Sequence, residues 1–359
     1  MPDPSTPIYR RPPVIVGAVV ALLALLGIAV FATRGGDDVV VVPTTTTRPT
    51  TTTTTTAPPT APLTGLPVSD ESVLDRPAMV VKVDNSTKAR GRQAGLADAD
   101  VVYVEKVEAG ATRLAAVFHS TDSQRVGPVR SARTSDIEIL ANLNRPLFSF
   151  SGANSGVLRM VRGADIVDVG YDARSGSYMT QGSGVLRFFI STETLYGFAP
   201  DDAGPPNALF THRQEGEDAT AGELARGVRI AYGGHVGTTV SYEGSATGWI
   251  RSQDGSVHLD ADDDPLDPEN VIVQFTQYRA SGFRDVTGAS SPEAVLVGEG
   301  DAWILSGGRL VQGRWSRPDA ASPTSYTDAT GQPVALTPGR TWIELAPPGS
   351  ATVVAPDSL

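Results

Sequence analysis

The chain has 359 residues, no cysteine and a formal net charge of −11. Without cysteine it can have no disulfide framework, thiol nucleophile, acylated lipoprotein cysteine or cysteine-ligated metal. The acidic balance argues against nonspecific nucleic-acid binding, which needs a basic face to displace counterions. His119, His212, His235 and His258 fall in no metal-binding spacing, so neither a metal nor a cofactor is expected.

Residues 1–13 form a short tail carrying Arg10 and Arg11. Residues 14–33 follow without a single charge, and twelve of the twenty are Val, Ile, Leu or Phe. A helix of that length spans about 30 Å, the thickness of a bilayer's hydrocarbon. The flanking arginines predict a single-pass transmembrane helix with a cytoplasmic N terminus and everything after residue 34 outside the cytoplasm. The alternative is a signal peptide cleaved after Ala32, but the apolar run is longer than a typical signal core of roughly 7–15 residues. Both readings send the rest of the chain outward. Residues 35–62 are dominated by Thr and Pro, with almost nothing to bury, and predict a disordered tether reaching about 30 Å.

The remaining 300 or so residues predict an α+β protein of two parts: a mixed α/β domain over 63–225 and a β-rich domain over 226–359. In the first part AMVVKVDN (78–85), DVVYVEKVEA (100–109) and TRLAAVFHS (112–120) read as strands, the last two joined as a hairpin. Gly127-Pro128 is expected to open a helix, with Pro at its first position and Ile137, Ile139, Leu140 and Leu143 on its apolar face. LFSFSG (147–152) reads as a buried strand, Asn154 and Ser155 as the cap of a helix to Arg162, and DIVDVG (165–170) as a further strand. From about 171 to 222 the sequence is rich in Gly, Ser and Asp. The second part holds all four tryptophans and many short strand-like runs separated by Gly, Pro or Asp.

The densest charged cluster is in the first part. Asp84 and Asn85 end one strand, Glu105 and Glu108 bracket the end of the next, and Arg113 begins the third. Arg130 and Arg133 fall in the first turn of the helix expected at 128, three apart and so on one face. That placement opposes the helix dipole, which favours acids there. Two explanations stand side by side. Glu105 and Glu108 could satisfy Arg113, Arg130 and Arg133 in a salt-bridge network, or the arginines could grip a carboxylate or phosphate bidentately. Glu105 and Glu108 also invite a reading as paired carboxylates for glycoside cleavage. Positions three apart on one strand point to opposite faces, so that pairing requires the strand to end between them. Asp260, Asp262 and Asp264 match the opening of a calcium loop, but Pro265 stands where Gly is needed and Val271 where Glu is needed. A solvated acidic turn is expected there. No GxSxG, SxxK or GxxxxGK[ST] motif is present.

The segments PLTGLPV (62–68), RPAMVVKVDN (76–85), GLADADVVYVEKVEAGATR (95–113), VGPVRSAR (126–133), NVIVQ (270–274), GRW (313–315) and LTPGRTWIEL (336–345) resemble the YerB-like family of bacterial envelope proteins (DUF3048), which has distinct N- and C-terminal domains. The likeness runs from about 62 to 347. It implies an extracytoplasmic address and draws attention to Asp84, Asn85, Glu108, Arg113, Arg130 and Arg133, which lie inside its motifs. Members are often lipoproteins; this chain has an apolar run in place of the acylated cysteine. Where the family reads Pro-His-Asn, this chain reads Pro205-Pro206-Asn207, so histidine chemistry is not expected at that step.

These features lead to one expectation and an alternative. The first is a membrane-anchored binding or scaffold protein of the bacterial cell envelope that recognises an anionic group on a wall polymer or envelope protein through Arg113, Arg130 and Arg133, in a candidate ligand site that also includes Asp84, Asn85, Glu105 and Glu108. The alternative is an envelope polysaccharide-remodelling enzyme with a carboxylate/arginine site.

Overall fold

The first strands explain the rest of the architecture, because they are buried on both faces. In the computed structural model, which describes residues 58–285 and 288–354, β1 (Met79–Asp84), β2 (Val101–Lys106) and β3 (Thr112–Phe118) form an antiparallel core in the order β2-β3-β1. Every residue of β1 and β3 is buried. A strand buried on both sides needs a layer over each face. The rest of the described chain supplies those layers.

In chain order there follow α1 (Ser135–Leu140), β4 (Leu147–Ser149), α2 (Ser155–Arg162), β5 (Val167–Asp168), α3 (Tyr171–Arg174), β6 (Met179–Thr180), β7 (Phe188–Phe189), α4 (Thr192–Tyr196) and β8 (Glu223–Leu224). The second part contributes β9 (Gly227–Ala231), β10 (Thr239–Gly244), β11 (Trp249–Gln253), β12 (Ser256–Val257), β13 (Asn270–Phe275), β14 (Tyr278–Arg284), β15 (Ser290–Ala294), β16 (Gly298–Ser306), β17 (Arg309–Arg317), β18 (Ser325–Asp328), β19 (Thr341–Ala346) and β20 (Ala351–Val354). The result is sheet-rich with few helices, in keeping with the α+β expectation.

One large sheet runs β18-β17-β16-β13-β19-β2-β3-β1-β4-β5, with β8 added to β17. It crosses the sequence division at 225/226: β19 pairs in parallel with β2 on one side and with β13 on the other. A second sheet, β12-β11-β10-β9-β20, covers one face. There Val81, Val83, Val102, Val104, Leu114 and Ala116 meet Val228, Ile230, Tyr242 and Trp249. On the opposite face Val80, Val101, Ala115 and Val117 meet Ile139, Leu140, Val157 and Val161 from α1 and α2. The period of two along each strand thus feeds both cores, and each fully buried aliphatic side chain contributes about 1.5–3 kcal/mol.

Buried polar groups join the two sheets. Glu344 of β19 accepts hydrogen bonds from the Tyr232 hydroxyl at 2.5 Å and the Tyr242 hydroxyl at 2.7 Å, and lies 3.6 Å from Arg251 Nη2. The Arg251 guanidinium sits over the Trp342 ring at 5.0 Å. Glu344 and Arg251 are both fully buried, so each depends on the other and on the tyrosines.

Two expectations are corrected. The helix expected to open at Gly127-Pro128 does not form there; α1 starts at Ser135, and residues 126–130 are extended. β4 pairs only with Met79–Val81 of β1, leaving the outer backbone of Val83 and Asp84 open. The 126–130 segment fills that gap: Val129 bridges Val83, Asp84 N donates to Pro128 O, and Arg130 N donates to Lys82 O. Sheet pairing therefore claims the Pro128 carbonyl that a helix would have used and gives the Arg130 N–H a partner that a helix start would not. The tether, too, ends earlier than residue 62. Thr60 bridges Pro67, Ala61 is buried, and Leu63 joins the core on the helical face of the sheet.

The tail at 1–13, the apolar run at 14–33 and the tether as far as residue 57 lie outside the described residues. No helix among the described residues is long and apolar enough to cross a membrane.

Candidate functional site

Strand register builds the site. Arg113 of β3 stands directly opposite Asp84 on β1 and Glu105 on β2. All three side chains share the face that carries α1 and α2, because they alternate with Val83, Val104 and Leu114, which face the other sheet. Arg113 Nη1 is 3.5 Å from Asp84 Oδ2, and Arg130 Nε donates to the same oxygen at 2.6 Å. Ser86 N donates to Asp84 Oδ1 at 2.7 Å. Burial pushes the Asp84 carboxyl up, but Arg113, Ser86 and Arg130 together outweigh it and hold the group below the usual carboxylate range.

Glu108 comes from the turn between β2 and β3. Its Oε2 accepts from Arg133 Nη2 at 2.8 Å, and its Oε1 from the Ser291 hydroxyl of β15. Burial raises this carboxyl as well; Arg133 and Ser291 reverse the effect and leave it lowered. Ala109 and Gly110 complete the turn with φ of 60° and 83°. A side chain at Gly110 would place its Cβ 1.8 Å from Gly233 O, so the close approach of the β9–β10 loop requires glycine there.

Between these groups lies a cleft of about 760 Å³. Arg113, Arg130, Arg133, Arg284, Glu108 and Asp285 line it, with Ser131, Ser151, Asn154 and Ser291 as polar neighbours and Val107, Ala132, Ala153, Val157, Val185 and Ala289 as apolar walls. Arg113 is only 7% exposed, yet its guanidinium makes no hydrogen bond among the described residues, and its Nε is buried without a partner. Burial, aided by Arg130 and Arg133, lowers its pKa to about 10 against the pull of Asp84. Arg130 spends only Nε on Asp84, so both its terminal nitrogens lack a partner among the described residues. Arg133 is held more fully, by Glu108 and by the carbonyls of Ser131 and Ala132.

Three residues that matter here do not figure in the sequence-based cluster: Lys82, Asp136 and Ser291. Lys82 Nζ donates to Glu105 Oε1 and, at 2.6 Å, to Asp136 Oδ1, and all three side chains are almost wholly buried. One ammonium cannot neutralise two carboxylates in a dry interior. Asp136 has a second donor in Arg133 N at 2.7 Å, whereas Glu105 Oε2 has none. Burial accordingly pushes Glu105 up to about 7, against the pull of Lys82 and reinforced by Asp136. The charge of Lys82 inside the otherwise apolar run MVVKV (79–83) is the available signal.

The candidate residues therefore divide. Arg113, Arg130, Arg133 and Glu108 line the cleft, and Asp84 stands behind it as the shared partner of two arginines. Glu105 is sealed beneath, so it does not face Glu108 across the cleft. Asn85 points elsewhere, into a buried network with Thr112 at 2.8 Å and Gln253 at 2.9 Å. In the 260–264 loop Asp260 Oδ1 accepts from the backbone N–H groups of Asp262 and Asp264, which closes the acidic turn on itself. Among the described residues no group of three or more His, Cys, Asp or Glu side chains could hold a metal ion.

Fold and cleft together define a mixed, sheet-rich body with an arginine cluster, buried at Arg113 and half-buried at Arg130 and Arg133, opening at the ends of its central strands. The chain belongs to the DUF3048 family: residues 63–201 match its "Protein of unknown function (DUF3048) N-terminal domain" and residues 228–343 its C-terminal domain. It is similar to "Putative lipoprotein YerB" of Bacillus subtilis (strain 168), at 26% identity over 80% of this chain and 86% of that one. Its fold is similar to the crystal structure of YerB protein from Bacillus subtilis, with a TM-score of 0.71 and 22% identity over 83% of this chain and 100% of the other.

Proposed function

We propose that this chain is a membrane-anchored, extracytoplasmic binding protein of the cell envelope that holds an anionic group between Arg113 and Arg130. The observation that carries the reading is Arg113: a buried guanidinium without a hydrogen-bond partner, at the floor of an open cleft. A buried cation normally has its donors filled, because leaving them empty costs several kcal/mol. An anion arriving from solvent would fill them and bridge to the free nitrogens of Arg130.

The address draws on two supports. The Bacillus subtilis relative is named as a lipoprotein, and residues 14–33 form an uncharged apolar run long enough to span a bilayer. With no cysteine to acylate, that run would serve as the anchor here. The partner would be a wall polymer or another envelope protein; the net negative charge disfavours nucleic acid.

Glu108 also lines the cleft, which keeps a polysaccharide-remodelling enzyme as the second reading. Its lowered pKa suits it poorly as a general acid near neutrality. Loss of turnover on wall polysaccharide in Glu108→Gln, with the fold intact, would favour the enzyme.

The test of the binding reading is thermal. Acetate that binds only the folded state raises Tm with concentration at fixed ionic strength. The rise is expected in the wild type and in Arg314→Ser, a distant surface variant, and is expected to vanish in Arg113→Met with Arg130→Gln. Equal rises in all three would remove the arginine site.

A further inference from the structure

We infer that the cleft takes the free carboxylate end of a short peptide-like chain bearing small apolar side chains. The inference rests on the reading of Arg113 and Arg130 as an anion site, and goes beyond it in naming the class of ligand.

Charge comes first. The guanidiniums of Arg113, Arg130 and Arg133 meet the carboxylates of Asp84 and Glu108, and Arg284 and Asp285 add one charge of each sign at the lining. Beneath them Lys82 is matched by Asp136, while Glu105 keeps its proton up to about pH 7. Below that pH one positive charge is left over. A single negative charge completes the site, whereas a phosphate monoester dianion would bring a second charge with nothing to offset it.

Size comes next. A site of about 760 Å³ is in the range that holds an entire small ligand rather than a lone carboxylate. The space beyond the arginines is walled by Val107, Ala132, Ala153, Val157, Val185 and Ala289, which suits methyl-sized substituents on the ligand. Among the described residues no aromatic side chain lines it, so these residues provide no flat platform on which sugar rings stack. The hydroxyls of Ser131 and Ser151 make no hydrogen bond among the described residues and border the same space. They provide donors and acceptors for amide groups, which neither a fatty acid nor a simple inorganic anion would use.

The experiment is calorimetric titration of the full-length chain in detergent with four probes: N-acetyl-Ala-Ala, its C-terminal amide, acetate and dimethyl phosphate. N-acetyl-Ala-Ala is expected to bind about tenfold tighter than acetate or dimethyl phosphate, with the amide giving no measurable heat. Arg113→Met is expected to abolish binding. Because that variant touches a buried charge, Val185→Asp is the second arm. Val185 is 60% exposed, so the fold is not at stake, and the new charge should weaken N-acetyl-Ala-Ala several-fold. If N-acetyl-Ala-Ala binds no tighter than acetate, if dimethyl phosphate binds tighter than either, or if Val185→Asp changes nothing, the peptide-carboxylate inference falls and the anion site stands. If no anion gives heat, the anion site falls and the inference falls with it.

Discussion

Asp84 and Arg113 face each other across adjacent antiparallel strands, yet Asp84 gives its nearer contact to Arg130: Oδ2 lies 2.6 Å from Arg130 Nε and 3.5 Å from Arg113 Nη1. One carboxylate is thus divided between two cations, and the deeper cation has the weaker share. That imbalance leaves the Arg113 guanidinium without a hydrogen bond among the described residues.

It also makes Asp84 the main support of Arg113. Asp84→Asn would leave a buried guanidinium with no adjacent carboxylate, at a cost of about 3–5 kcal/mol at neutral pH. The Asp84 pKa is depressed on folding, so its contribution is present above about pH 4 and lost as pH falls through the folded value. Urea unfolding of wild type and variant should show a large gap at pH 7 that narrows towards pH 3. A gap that is small, or the same at both values, would contradict the assignment.

Glu105 has the opposite sign. Its carboxyl is pushed up to about 7, above the unfolded value of about 4.3. The folded state therefore holds this proton more tightly, and the resulting stability fades as pH rises through 7. Glu105→Gln should flatten the pH dependence of stability between about pH 5 and 8, and should equal or exceed the wild type at pH 8. Urea titrations at those two values check it; an unchanged slope would mean that Glu105 is ionised throughout.

Much of this cluster could be read in the chain itself, and the remainder has a definable reason for being hidden. The runs around Val80, Val102 and Ala116 are β-branched or apolar and bounded by turn residues, so strands, hairpin and the alignment of Asp84, Glu105 and Arg113 at strand ends follow from local rules. Local pattern places Arg130 on a helix, whereas its extended backbone depends on pairing with Val83 and Lys82, more than 40 residues earlier, which no local pattern reports. Ser291 reaches Glu108 from 183 residues away and carries no signal of its own. The shared ownership of Asp84 is likewise a matter of three-dimensional geometry: side-chain type suggested Glu105 and Glu108 as partners of all three arginines, whereas Lys82 claims Glu105 first.

The turn that presents Glu108 should be intolerant in one position and permissive in the next. Gly110→Ala adds a Cβ at 1.8 Å from Gly233 O in a left-handed backbone and should cost at least about 2 kcal/mol. Ala109→Gly, at φ 60°, removes strain and should stay within about 1 kcal/mol of the wild type. Chemical unfolding of the two variants is the check, and equal effects would mean that the turn is not set by this contact.

The large sheet makes the two sequence halves interdependent. Residues 58–225 alone would expose the β2 edge that β19 covers at Val101–Val104, together with the apolar face beneath β9–β11. That fragment should aggregate or lack a cooperative unfolding transition, and co-expression with residues 226–359 should restore one. A soluble, cooperatively unfolding 58–225 fragment would show that the β2–β19 pairing is dispensable.

The most direct measurement is a crystal structure of the protein grown with acetate. The expected result is a carboxylate about 2.7–2.9 Å from the terminal nitrogens of both Arg113 and Arg130, with Asp84 still bound to Arg130 Nε. A cleft without an anion, with Arg113 turned to hydrogen-bond Asp84 or Glu108 directly, would contradict it.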